Sequence, residues 1–140
     1  MRQALLLSAL LLAGCPKSRT KAIPLENSKW VGVIKSGPAC MEHGGYDGDE
    51  MMLCMVFGEK NSSGAVPAAV DWDGATLKDA CDYFEFQGPA SKVSITLDRT
   101  DDPEEADDRF ALTRSGDTIT GTFQVHPSCA PWDVTLTHSP

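Results

Sequence analysis

The chain has 140 residues, with 20 acidic against 12 basic side chains and a formal net charge of −8 at neutral pH. That length suffices for one domain with its own core, and the acidic surplus argues against nucleic acid as a partner. Five cysteines in so short a chain point to a compartment where disulfides persist.

At the N-terminus, Arg2 supplies a positive charge and Ala4 to Leu12 form an apolar run. Leu12-Ala13-Gly14-Cys15 closes that run with small residues before a cysteine. The run is too short to cross a hydrocarbon core of about 30 Å, and it suits the apolar stretch of a secretory signal. In this order the residues resemble a bacterial lipoprotein signal. The resemblance implies cleavage before Cys15, a diacylglyceryl thioether on its thiol and an acylated amino group. Several acyl chains would then give stable membrane anchoring. In that family an Asp straight after the lipidated cysteine favours the inner membrane. Here the residue is Pro16, so the outer membrane is expected in a cell that has one. The expected organisation is a signal helix over 1–14, a lipidated cysteine and flexible tether over 15–29, and a β-domain over 30–140. Lys17, Arg19, Lys21 and Lys29 against Glu26 make the tether basic, suited to anionic headgroups.

From Lys29 the chain reads as β. Lys29 to Lys35 is a β-branched run, and Ser36 to Asp49 a loop rich in Gly and acids. Glu50 to Phe57 is apolar on both faces, the pattern of a strand covered on both sides. Gly58 to Gly64 is a polar turn. Ala65 to Trp72 is a weak strand that Pro67 demotes to an edge. Asp73-Gly74 marks a turn, and Thr76 to Asp82 suits one or two helical turns. Tyr83 to Gln87 resumes strand character, and Gly88-Pro89 is expected to end it. Val93, Ile95 and Leu97 then alternate with Ser94, Thr96 and Asp98. Phe110 and Leu112, then Ile119, Gly121, Phe123 and Val125, continue that alternation. Ser115-Gly116-Asp117 is the turn between those two strands. Trp132, Val134 and Leu136 form the last strand.

Seven or eight short strands with apolar and polar faces predict a small antiparallel β-barrel or sandwich. Trp30-Val31-Gly32 and the hairpin from Leu112 to Phe123 resemble strands of small calycin-like barrels, the lipocalin and avidin neighbourhood. That resemblance implies a barrel able to hold a small ligand. The Gly-x-Trp opening familiar in lipocalins is absent, since Trp30 follows Ser28 and Lys29, so no ligand residue carries over.

With Cys15 assigned to lipid, Cys40, Cys54, Cys81 and Cys129 remain for two disulfides. Spacing does not fix their pairing. Cys40–Cys54 with Cys81–Cys129 is preferred, closing loops worth roughly 3 and 4 kcal/mol of unfolded-state entropy. Cys40–Cys129 with Cys54–Cys81 is the rival: in an eight-stranded meander the first and last strands pair, and Cys40 and Cys129 would share a rim. Without a Cys-x-x-Cys pair, zinc is not expected.

Candidate chemistry is sparse. Met41, His43, Met51, Met52 and Met55 are soft groups of the kind that hold Cu(I). Met51 and Met55 share a face with Leu53 and Phe57, however, as core methionines do. The acids from Asp98 to Asp108, and Asp47, Asp49 and Glu50, are oxygen donors of the type Ca²⁺ uses. A solvated hairpin loop explains the first group more simply. There is no Gly-x-Ser-x-Gly, and His43, His126 and His138 are scattered, the last two expected as exposed polar residues. Trp30, Trp72, Trp132, Tyr83, Phe84 and Phe86 either line a pocket or fill a small barrel. Gly32 and Gly121 are expected to ease strand curvature.

No enzyme activity, metal or cofactor is therefore expected. The leading expectation is a lipid-anchored envelope protein that binds a protein or small molecule near the membrane. The alternatives are a small-ligand barrel and a periplasmic Cu(I) binder.

Overall fold

In the computed structural model, residues 21–37, 50–73 and 81–140 are described. The expected signal helix, the lipidated Cys15, Cys40, Met41, His43 and the proposed helical turns before Asp82 lie wholly or mostly outside them. The described strands are β1 (Lys29–Lys35), β2 (Glu50–Phe57), β3 (Ala65–Asp73), β4 (Phe84–Pro89), β5 (Ser94–Arg99), β6 (Arg109–Ser115), β7 (Thr118–Gln124) and β8 (Trp132–Ser139). Each pairs antiparallel with the next, and β8 pairs with β1, closing a barrel. The fold is thus the mainly β architecture expected, resolved in favour of a barrel over a sandwich.

Alternation builds the interior. Trp30, Ile34, Leu53, Met55, Phe57, Val70, Phe86, Ile95, Leu97, Phe110, Ile119, Phe123 and Leu136 are almost fully buried, while the residues between them face out. Closure brings backbones close where no side chain intervenes. A Cβ on Gly32 would sit 1.9 Å from the Thr135 carbonyl oxygen, and one on Gly121 2.1 Å from that of Ala111. Both glycines therefore let neighbouring strands approach within a bent wall.

Three expectations about the strands change. β3 is no edge, since it pairs with both β2 and β4. Pro67 is tolerated because the β2 ladder ends at Phe57 opposite Ala68. The Pro67 carbonyl takes the N–H of Gly58 at 2.9 Å, so the donor that proline lacks faces Gly58, the first residue beyond β2, and costs one bond at the end of that ladder. Gly88-Pro89 also lies within β4, opposite Val66 and Ala65, and does not terminate it. Val93 precedes β5 and is 58% exposed, so the inward alternation starts at Ile95.

Successive strands run in opposite directions, so the barrel has two unlike rims. One carries the connections 58–64, 90–93 and 116–117, and residues 21–28 enter there. We call it the turn rim. The other carries the longer connections 100–108 and 125–131 with the described ends 36–37 and 81–83 of two more, and is the loop rim. The folded body begins before Trp30. Ile23 and Leu25 pack against the core, and the Arg114 guanidinium donates to the Ile23 carbonyl. Arg114 also lies 5.0 Å over the Trp30 ring. The indole N–H donates to Ser28 Oγ at 2.8 Å, and that hydroxyl donates to the Leu25 carbonyl. His138 is half-buried with its ring edge-on to Trp30 at 5.3 Å, a packed position in place of the exposed one expected. These groups floor the barrel at the turn rim.

Candidate functional site

The loop rim gathers charged groups that the interior lacks, with several aromatic side chains beside them. Arg99, at the end of β5, continues the inward parity of Ile95 and Leu97. Asp108, just before β6, continues that of Phe110 and Leu112. The Arg99 N–H donates to the Asp108 carbonyl at 3.1 Å, which sets the two side by side. Arg99 Nη1 then reaches Asp108 Oδ2 at 3.0 Å, and Nε reaches Asp101 Oδ1 at 2.8 Å. Its guanidinium lies 4.6 Å from the centroid of Phe84.

Asp108 is only 3% exposed, and its Oδ1 has no hydrogen-bond partner among the described residues. Burial pushes its carboxyl up to about 6 against the opposing pull of Arg99, and the charges of Glu105 and Asp101 add to the rise. Asp101 shifts the other way. Burial would raise it, but the Arg99 hydrogen bond and charge hold it below the usual carboxylate range. Burial opposes the Arg99 charge, and its bonds to both carboxylates outweigh that, raising its pKa.

The acidic connection is therefore not uniformly solvated, as its composition suggests. Asp102 caps a short 3₁₀ turn at Pro103–Glu105, accepting from Glu104 N–H at 3.0 Å. Asp98 faces out to Arg109 at 2.5 Å. Asp101 and Asp108 converge on a guanidinium, the position a cation would take in a calcium loop. Among the described residues, no group of three or more His, Cys, Asp or Glu side chains is placed to hold a metal ion.

The aromatic side chains divide between two tasks. Trp30 and Phe86 are core. Trp72 stacks on Phe84 at 4.3 Å between centroids and approaches Phe123 at 5.2 Å. Tyr83, 72% exposed, meets Phe84 edge-on at 4.6 Å, and Trp132 lies 5.8 Å from Phe123. Together they form an aromatic lip beside the Arg99 cluster. Trp132 belongs to the buried core, Trp72 and Phe84 are half-buried against it, and Tyr83 is the ring of this lip that stands free for stacking.

The described methionines of the candidate set divide between the two faces of β2. Met51 and Met55 are buried on the inner face of β2, and Met52 is 42% exposed on its outer face. The preferred disulfide pairing is corrected: Cys54 is bonded to Cys81, with Cα atoms 5.5 Å apart. Cys54 lies between inward-facing Leu53 and Met55 and so points out of the barrel. The bond holds Cys81 against that outer wall. Cys129 is also disulfide-bonded. His126 Nδ1 is 2.6 Å from Ser128 Oγ and accepts the Ser128 N–H at 3.2 Å, a local turn that fixes its ring.

Composition pointed to the acids but not to the Arg99–Asp108 pair. The usable signal was parity, carried to the last residue of β5 at Arg99 and one residue ahead of β6 at Asp108. Comparison with protein-family models, curated proteins and solved structures yields no match.

Proposed function

We propose that this is a lipid-anchored protein of the bacterial envelope, acylated at Cys15 and held in the outer membrane. Its barrel serves as a non-enzymatic platform whose loop rim binds a protein or small-molecule partner. The observation carrying this reading is the polarity of the barrel. The chain leading from Cys15 enters at the turn rim, and the longer connections with the aromatic lip stand at the opposite end. Loops carried on a rigid scaffold are where binding residues concentrate. Large buried side chains such as Phe57, Phe86, Phe110 and Phe123 occupy the interior, which favours binding at the rim over a ligand held inside.

Two measurements test this. The mass of the N-terminal peptide from the membrane fraction is expected to carry acyl chains on Cys15, and Cys15→Ser is expected to abolish both the modification and membrane retention. An unmodified Cys15 in a soluble protein would sink the anchored reading. Photo-crosslinkers placed in living cells at Tyr83 and at Ser62, on opposite rims, test the platform. Adducts are expected from Tyr83; adducts only from Ser62 would reverse the assignment.

A further inference from the structure

The barrel is electrically polarised along its axis. At the turn rim, Lys21, Lys29, Lys60 and Lys92 are exposed, with Arg114 beside them, against Glu26, Glu59 and Asp117. At the loop rim the connection 100–108 alone holds Asp101, Asp102, Glu104, Glu105, Asp107 and Asp108 and no basic residue. A chain of net charge −8 thus keeps an excess of positive charge at the end where its N-terminal segment enters.

We propose that the turn rim docks on an anionic phospholipid surface, with Lys29, Lys60 and Lys92 against the headgroups and Val93 at the point of contact. This rests on the anchored reading above and deepens it. Three observations carry it. The first is charge complementarity, which acts over about 8 Å at physiological salt. The second is reach. Arg114 pins the carbonyl of Ile23 to the barrel floor, so the chain from Cys15 to that point spans at most about 28 Å fully extended. A tether that short keeps the rim at high local concentration next to the bilayer. The third is Val93, which is 58% exposed beside Lys92. An apolar tip flanked by a lysine can enter the interface while the ammonium stays among the headgroups. Docking this way turns the acidic loop rim outward, where repulsion from the anionic surface also drives it.

The test uses the mature protein mixed with vesicles of phosphatidylcholine alone or rich in phosphatidylglycerol, with flotation and amine acetylation read by mass spectrometry. Lys60 and Lys92 are expected to be protected several-fold in the anionic vesicles and released by high salt, while Lys35 at the loop rim labels equally in both. In Lys92→Glu, protection of Lys60 is expected to fall while flotation persists. Flotation with both vesicle types and equal labelling of Lys60 and Lys92 in each would overturn the docking but leave the anchor standing. Flotation with anionic vesicles only would support the docking and overturn the anchor. Flotation with neither would overturn both.

Discussion

Asp108 and Arg99 concentrate the electrostatic cost of this fold in one place. A carboxyl whose folded-state pKa stands near 6, above its ordinary 3.8, binds a proton more tightly in the folded chain than in the unfolded one. Its contribution is thus most favourable below pH 4 and is lost as pH rises through 6, a span of about 3 kcal/mol. Asp101 works in a different window, because its lowered pKa gives stability present above pH 3.8 and lost at more acidic pH. Thermal melts are expected to show a melting temperature that rises from pH 7 to pH 5, and Asp108→Asn is expected to flatten that rise. Arg99→Ala strands two carboxylates, one of them buried, and is expected to cost about 3–5 kcal/mol. Arg99→Met combined with Asp108→Leu is expected to recover much of that loss, so a urea-melt cycle checks the coupling. The pair was half legible. Arg99 extends an alternation visible from Ile95 and Leu97, but a run of acids does not say which one turns inward.

Single elements show where local reading succeeds. The β-branched run gave β1 its bounds, and β2 was readable because its apolar stretch is flanked by an acid-rich loop and a polar turn. Pro67 misled because its cost depends on whether a neighbouring strand extends far enough to need its N–H, a fact of register. Disulfide pairing likewise depends on which wall a connection folds against. Peptide mapping without reduction is expected to recover Cys54 linked to Cys81. Replacing both with Ala is expected to cost about 3–4 kcal/mol for a separation of 27 residues. Gly32→Ala places a methyl against the Thr135 carbonyl. It is expected to exceed the usual overpacking cost of about 1–3 kcal/mol, read as a lower urea midpoint. Gly64→Ala, with open space around its Cβ but φ of +84°, is expected to cost only about 1 kcal/mol.

At the scale of the whole molecule, alternation and turn spacing made the barrel class readable, because inward and outward parity survives in the sequence. What they could not show is that the rims differ. Rim identity follows from counting strand reversals from the N-terminus, and only closure of β1 on β8 makes both ends of the barrel real surfaces. The same closure gives every described strand a partner on both sides, which blunts the usual template for edge-to-edge aggregation.

Ring closure also sets how the chain must fold. Trp30 stands opposite His138 in the β1–β8 register, so the seam joins the two ends of the domain and its contacts are as distant in sequence as the domain allows. Loop closure has to precede the reward from such contacts, which makes folding slow for the size of the chain. Neighbouring hairpins can form as the chain emerges, but the floor of Trp30, Ser28, Arg114 and His138 cannot assemble until β8 has been delivered. The barrel therefore cannot lock into its final ring before its last strand is in hand, and any shorter piece of the chain stays open at the seam.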